Sequence, residues 1–133
     1  MSANSSGFTE AILREIAGLL DRLIDTGEEG VVDLRSLPIG AADRDTLRSR
    51  LGTGEVRAAL DVAGVSTVEE TGIFGVWWVR HEGANDGIAY EQIVVSRVPT
   101  ILVTHPCDLA IGASRLRGLI AADGSPPLRE AAR

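Results

Sequence analysis

The stretch "ETGIFGVWWVRHEGANDG", Glu70–Gly87, packs Phe74, Trp77 and Trp78 into five residues of a chain that is only 4% aromatic. Its apolar residues are β-branched or aromatic and run for strand length, which favours an extended segment. Side chains alternate across a strand, so Ile73, Gly75, Trp77 and Val79 project one way and Phe74, Val76, Trp78 and Arg80 the other. Both faces are therefore apolar. Trp77, with small and apolar companions, is expected in the core. Phe74, Trp78 and Arg80 are expected to line a surface that binds a protein partner, because Trp and Arg are enriched at interface hot spots. The competing expectation is a central strand covered on both sides, since large aromatics are core residues first.

Residues 83–98 supply the other half of a hairpin. "GANDG" is a turn, and "IAYEQIVVSRV" has the composition of an antiparallel partner strand. Upstream, "VSTVEE" extends the same run, and Gly72 and Gly75 within it suggest a bulge or a close backbone approach. Before Gly64, Val56, Ala58 and Leu60 alternate with Glu55, Arg57 and Ala59 as a half-buried strand. A short strand is expected at Val31–Leu34, ahead of a turn around Pro38 and Gly40.

Helices flank this meander. Phe8, Ile12, Ile16, Leu19, Leu20, Leu23 and Ile24 form one apolar stripe over residues 8–25, closed near Gly27. A second helix starts near Asp43 and stops at Leu51–Gly52. A last helix runs from Cys107 to Ala122, with Leu109, Leu116, Leu119 and Ile120 as its expected buried residues. Residues 123–133 read as a loose tail. The order predicts an α+β fold, an antiparallel sheet with helices packed on one face, in a single domain spanning 1–133.

Composition excludes several functions. The chain of 133 residues has a net charge of −6, and nucleic acid calls for a basic face instead. No apolar run approaches the roughly 20 residues needed to span a membrane. The N-terminus lacks a signal peptide's basic and apolar regions, so a cytoplasmic location is expected. All thirteen basic residues are Arg, as codon bias in a GC-rich genome would produce.

Chemistry-bearing motifs are sparse. One cysteine and two histidines supply too few strong ligands for a metal site, and no metal or cofactor is expected. His105 and Cys107 are the sole near-adjacent pair, and a small redox or thiol enzyme built on them is the alternative to a non-enzymatic role. Residues two apart on a helix do not face each other, which weakens that alternative. "LGTGEV" runs from helix to strand, the reverse of a phosphate loop. "GASRL" lacks the second glycine of a nucleophile elbow. No catalytic residue is expected.

Four blocks together carry a resemblance: "VVDLRSLPIGAADRDTLRSRLGTGEVRAAL", "VEETGIFGVWWVRH", "EQIVVSRVPTIL" and "DLAIGASRLRGLI". Leu51–Val56, Glu70–Thr71 with Gly75–Trp77, and Val98–Pro99 match motifs of the HupH/HyaF hydrogenase expression and formation proteins. The chain resembles the C-terminal conserved region of that family over about residues 30–122. The resemblance implies a cytoplasmic, chaperone-like accessory factor in the maturation of [NiFe] hydrogenase. It implies contact with a hydrogenase subunit or another maturation protein and no established catalytic residues. A third expectation is a structural homo-oligomer that buries its second apolar face against a copy of itself.

Overall fold

A computed structural model describes residues 7–61, 63–83 and 87–122 of the chain. The chain divides into two compact units, Met1–Pro99 and Thr100–Arg133. Residues 123–133, expected as a tail, lie outside the described residues, as does the centre of the "GANDG" turn.

The first unit opens with α1 (Gly7–Thr26), followed by β1 (Gly30–Asp33), a 3-10 turn at Leu34–Ser36 and α2 (Ala41–Leu51). A four-strand meander comes next: β2 (Arg57–Asp61), β3 (Val65–Glu70), β4 (Val76–Glu82) and β5 (Ile88–Val95). All neighbours in the sheet are antiparallel, in the order β1-β5-β4-β3-β2. This is the α+β architecture expected from the sequence.

The predicted α1 stripe packs as its spacing demands. Ile12 and Ile16 are buried, with Leu13, Leu19, Leu20 and Leu23 partly buried beside them. The α2 helix contributes Leu47 and Leu51. Both helices lie on one face of the sheet, over Val32, Val76, Trp78, Ile93 and Val95. Gly27 takes φ +78° just past α1, the left-handed conformation that ends helices cheaply when no Cβ is present.

The β4–β5 hairpin forms with the expected partners: Trp77 sits opposite Val94, and Trp78 opposite Ile93. Gly83 N–H donates to the Gly87 carbonyl at 2.8 Å and closes it. Residues 65–81, however, are two strands rather than one extended run. Thr71–Gly75 turns the chain back, so β3 and β4 are themselves a hairpin. Gly75, at φ +88°, is a turn residue and not a strand bulge.

In the second unit a 3-10 turn (Thr100–Leu102) precedes α3 (Pro106–Ala121). His105 caps α3, its Nδ1 accepting from Cys107 N–H at 3.1 Å. Leu109, Leu116, Leu119 and Ile120 are exposed, against the expectation of burial. The described residues of this unit form one 3-10 turn and one helix, which offer no second layer against which to bury them.

Candidate protein-docking site

The β3–β4 turn is held on several sides. Thr71, itself buried, donates its hydroxyl to the Val76 carbonyl at 2.8 Å and accepts from Ile73 N–H at 3.1 Å. The Thr71 backbone N–H reaches the same Val76 carbonyl at 3.0 Å. Gly72 N–H donates to the Leu51 carbonyl at the end of α2, and Ser96 N–H donates to the Gly75 carbonyl past β5. Gly75 also passes close to α1: a Cβ there would stand 3.3 Å from Leu20 Cδ2. Positive φ and this close approach together favour glycine.

Two grooves flank the turn. Leu13, Ile16, Ala17 and Leu20 of α1, with Leu51 and Ile73, line an apolar one of about 240 Å³. Arg50 stands at its rim and is bonded to Glu10 at 2.9 Å. The Arg50 guanidinium holds the Glu10 carboxyl below its ordinary pKa, through the hydrogen bond first and charge second. The other groove, about 400 Å³, is lined by Phe74 together with Thr53–Val56 and Glu70–Gly72. Its Glu70 side chain is already engaged, accepting from the N–H groups of Glu55 and Val56.

Phe74 is 88% exposed at the tip of this anchored turn. An isolated exposed apolar residue needs no explanation, but a large ring held out by a buried hydroxyl and several backbone bonds is a rigid anchor.

The other two expected contact residues lie elsewhere. Trp78 is 2% exposed and belongs to the helix-side core, so its ring is not at a surface. Its indole N–H donates to Glu91 Oε2 at 2.8 Å, and the Arg48 guanidinium stacks on its ring 4.7 Å from the centroid. Glu91 is 2% exposed, with Arg44 Nε 2.9 Å from Oε1 in an ion pair not aligned as a hydrogen bond. Arg48 also pairs with Glu69. Arg44 and Arg48 are one helical turn apart, so this polar cluster fastens α2 to the sheet.

Arg80 shares the helix-side face with Trp78, as alternation requires, but is half-buried. One guanidinium nitrogen lies 3.5 Å from Glu82, while its Nε is buried without a hydrogen-bond partner among the described residues. Phe74 does not join them, because the strand begins only at Val76.

Trp77 occupies the opposite face with Val68 and Val79. It is 6% exposed, its indole donating to the Ser96 carbonyl at 3.0 Å. The assignment of the two tryptophans to the faces is thus reversed: Trp78 belongs to the core shared with α1 and α2, and Trp77 projects from the opposite face. Both are buried, which matches the competing expectation of a strand covered on each side.

The histidines are occupied structurally. His81 stacks on Tyr90 with centroids 5.4 Å apart, and its Nδ1 lies 2.6 Å from Ser66 Oγ. The His105 ring nitrogen serves the α3 cap, while Cys107 is free and exposed. Among the described residues no three His, Cys, Asp or Glu side chains converge in a way that would hold a metal ion. No helix among them is long and apolar enough to cross a membrane. Glu91 is not among the residues that the sequence motifs single out, although it sits at the same strand parity as the buried Ile93 and Val95. A carboxylate at an inward position was the available signal.

Residues 8–122 match the family described as HupH hydrogenase expression protein, C-terminal conserved region. The match takes in α1, upstream of the region that the sequence motifs marked. The hydrogenase-1 operon protein HyaF of Escherichia coli (strain K12) is 31% identical over 85 residues, 64% of this chain. The hydrogenase expression/formation protein HoxQ of Azotobacter vinelandii is 29% identical over 86 residues, 65% of this chain. Each match covers 30% of the relative's own length. Among solved structures, the hydrogenase expression protein HupH from Thiobacillus denitrificans ATCC 25259 superposes with a TM-score of 0.84 at 38% identity. That match covers 88% of this chain and 98% of that one. The chain belongs to the HupH hydrogenase expression protein family, whose C-terminal conserved region it matches from α1 through α3.

Proposed function

We propose that the chain is a non-enzymatic accessory factor in the making of a hydrogenase, and that it works by holding a protein partner at the β3–β4 turn. The observation that carries this is Phe74, a large apolar ring almost wholly in solvent on a turn bonded to α2 and to the end of β5. A pre-ordered anchor loses little freedom on binding, which is where affinity is otherwise spent. The apolar groove beside Ile73 would receive a complementary side chain. Family membership supplies the biological setting, and the partner is a hydrogenase subunit or another protein of its maturation in the cytoplasm. Trp78 supports the site indirectly, because Arg48 of α2 stacks on its ring and Glu91 of β5 accepts from its indole, which fixes α2 and the sheet on which the turn rests.

The test is capture of hydrogenase polypeptides by the tagged full chain, compared with its Phe74→Ala variant. The substitution should lower recovery by about 30-fold or more, the scale of a 2 kcal/mol hot spot. Equal recovery by both proteins would exclude the turn as the docking site.

A further inference from the structure

Among the described residues β2 ends the sheet, with β3 as its one neighbour. Glu70 N–H donates to the Val56 carbonyl, and Thr71 N–H to the Val76 carbonyl across the next ladder. In an antiparallel ladder, bonded and non-bonded positions alternate. Within the β2–β3 register, Ala58 and Leu60 therefore bond inward to Val68 and Ser66. The backbone N–H and C=O groups of Arg57, Ala59 and Asp61 point outward from the sheet. An open edge of this kind is a template for another strand, unless the protein blocks it.

The residues on that edge select the strand. Antiparallel pairing of β2 with itself, centred on Ala59, sets Arg57 opposite Asp61 of a second copy and Asp61 opposite its Arg57. Ala58 then faces Leu60 on the other side of the sheet, where both are half-buried. The three outward-pointing residues are the ones that this register brings into bonded pairs, so six backbone hydrogen bonds form about the two-fold axis. Charges at an edge strand ordinarily repel a neighbour. Here they are of opposite sign at the two ends, so an antiparallel copy finds attraction at both. No proline or bulge interrupts the strand.

We propose that two copies of the chain join through β2 into a continuous ten-stranded sheet, with Ala59 on the two-fold axis. This surface is distinct from the Phe74 turn, and it stands or falls independently of the hydrogenase reading.

The experiment is sedimentation equilibrium of the full chain and three variants, with amide hydrogen exchange at Ala59. Ala59→Pro removes one outward N–H and leaves the inward bonds to β3 in place. It should yield a monomer. Asp61→Arg places two arginines opposite each other twice and should raise the dissociation constant about tenfold. Adding Arg57→Asp restores opposite charges in the same register and should recover the affinity. Arg57 is itself largely exposed, and Glu69 keeps its ion pair with Arg48 when Arg57 is replaced, so the fold should tolerate the change. In the wild-type dimer the Ala59 amide should be protected from exchange. A wild-type chain that is monomeric at its highest soluble concentration overturns the proposal. So does a dimer indifferent to Asp61→Arg, or a double variant no tighter than the single one. If Ala59→Pro fails to fold, the charge-swap series decides alone.

Discussion

Replacing Trp78 by Phe tests whether the buried indole–carboxylate contact holds α2 on the sheet. The ring is 2% exposed, and its N–H is 2.8 Å from Glu91 Oε2. Glu91 is equally buried, and its other oxygen faces Arg44 without an aligned hydrogen bond. Removing the indole N–H leaves a charged acceptor without its aligned donor in the core, which costs about 1–3 kcal/mol. The smaller ring adds about 1 kcal/mol for the space it vacates. The total expected loss is therefore about 2–4 kcal/mol. Trp77→Phe provides the control. Its indole donates to the neutral Ser96 carbonyl, and the hydrogen bond lost is worth about 0.5–1.5 kcal/mol. Urea unfolding followed by far-UV circular dichroism measures both, since the signal does not depend on the tryptophan removed. A double-mutant cycle with Glu91→Leu isolates the contact. Once the carboxylate is gone, Trp78→Phe should cost at least about 1 kcal/mol less than in the wild-type background. Arg44 is only partly buried and can turn to water when Glu91 is lost. A coupling below about 0.5 kcal/mol would mean that the indole and the carboxylate act independently, because independent sites add to within that margin.

Thr71→Val keeps the shape of a buried side chain but removes the hydroxyl that bonds Ile73 and Val76. It should cost about 1–3 kcal/mol in urea unfolding and weaken partner capture along with the turn. Glu10 should titrate below an ordinary glutamate in a carbon-detected NMR titration, and Arg50→Ala should move it back up. A depressed folded pKa means that this pair favours folding above the unfolded-state pKa. Its contribution fades as pH falls through the folded value.

Much of the fold was legible. The α1 stripe, the β4–β5 hairpin and the α+β order all come from local periodicity, which survives folding because each pattern needs only one buried face. The β3–β4 turn was not, since Gly72 and Gly75 sit inside an apolar run that reads as strand on either side. Only the bonds from Thr71, Leu51 and Ser96 show that the chain reverses there. Alternation correctly separated Trp77 from Trp78 but could not say which face meets the helices. That choice depends on Ile12, Ile16, Leu47 and Leu51, which are distant in sequence. Arg80 at the end of the run suggests a wet rim, whereas on this face Arg48 of α2 packs over Trp78, and Arg44, Arg48 and Arg57 pair with glutamates of the sheet. In the sequence Phe74 stands out because strand alternation aligns it with Trp78. It is exposed for another reason, its place at the tip of a turn.

The most direct measurement is hydrogenase activity in a host strain deleted for this gene and complemented with wild-type or Phe74→Ala protein. The ring makes no core contact at 88% exposure, so the variant should melt with the wild type, within about 0.5 kcal/mol. This stable, normally folded variant should leave hydrogenase activity near the level of the deletion strain. Full restoration of activity by Phe74→Ala, at equal protein abundance, would contradict docking at this turn.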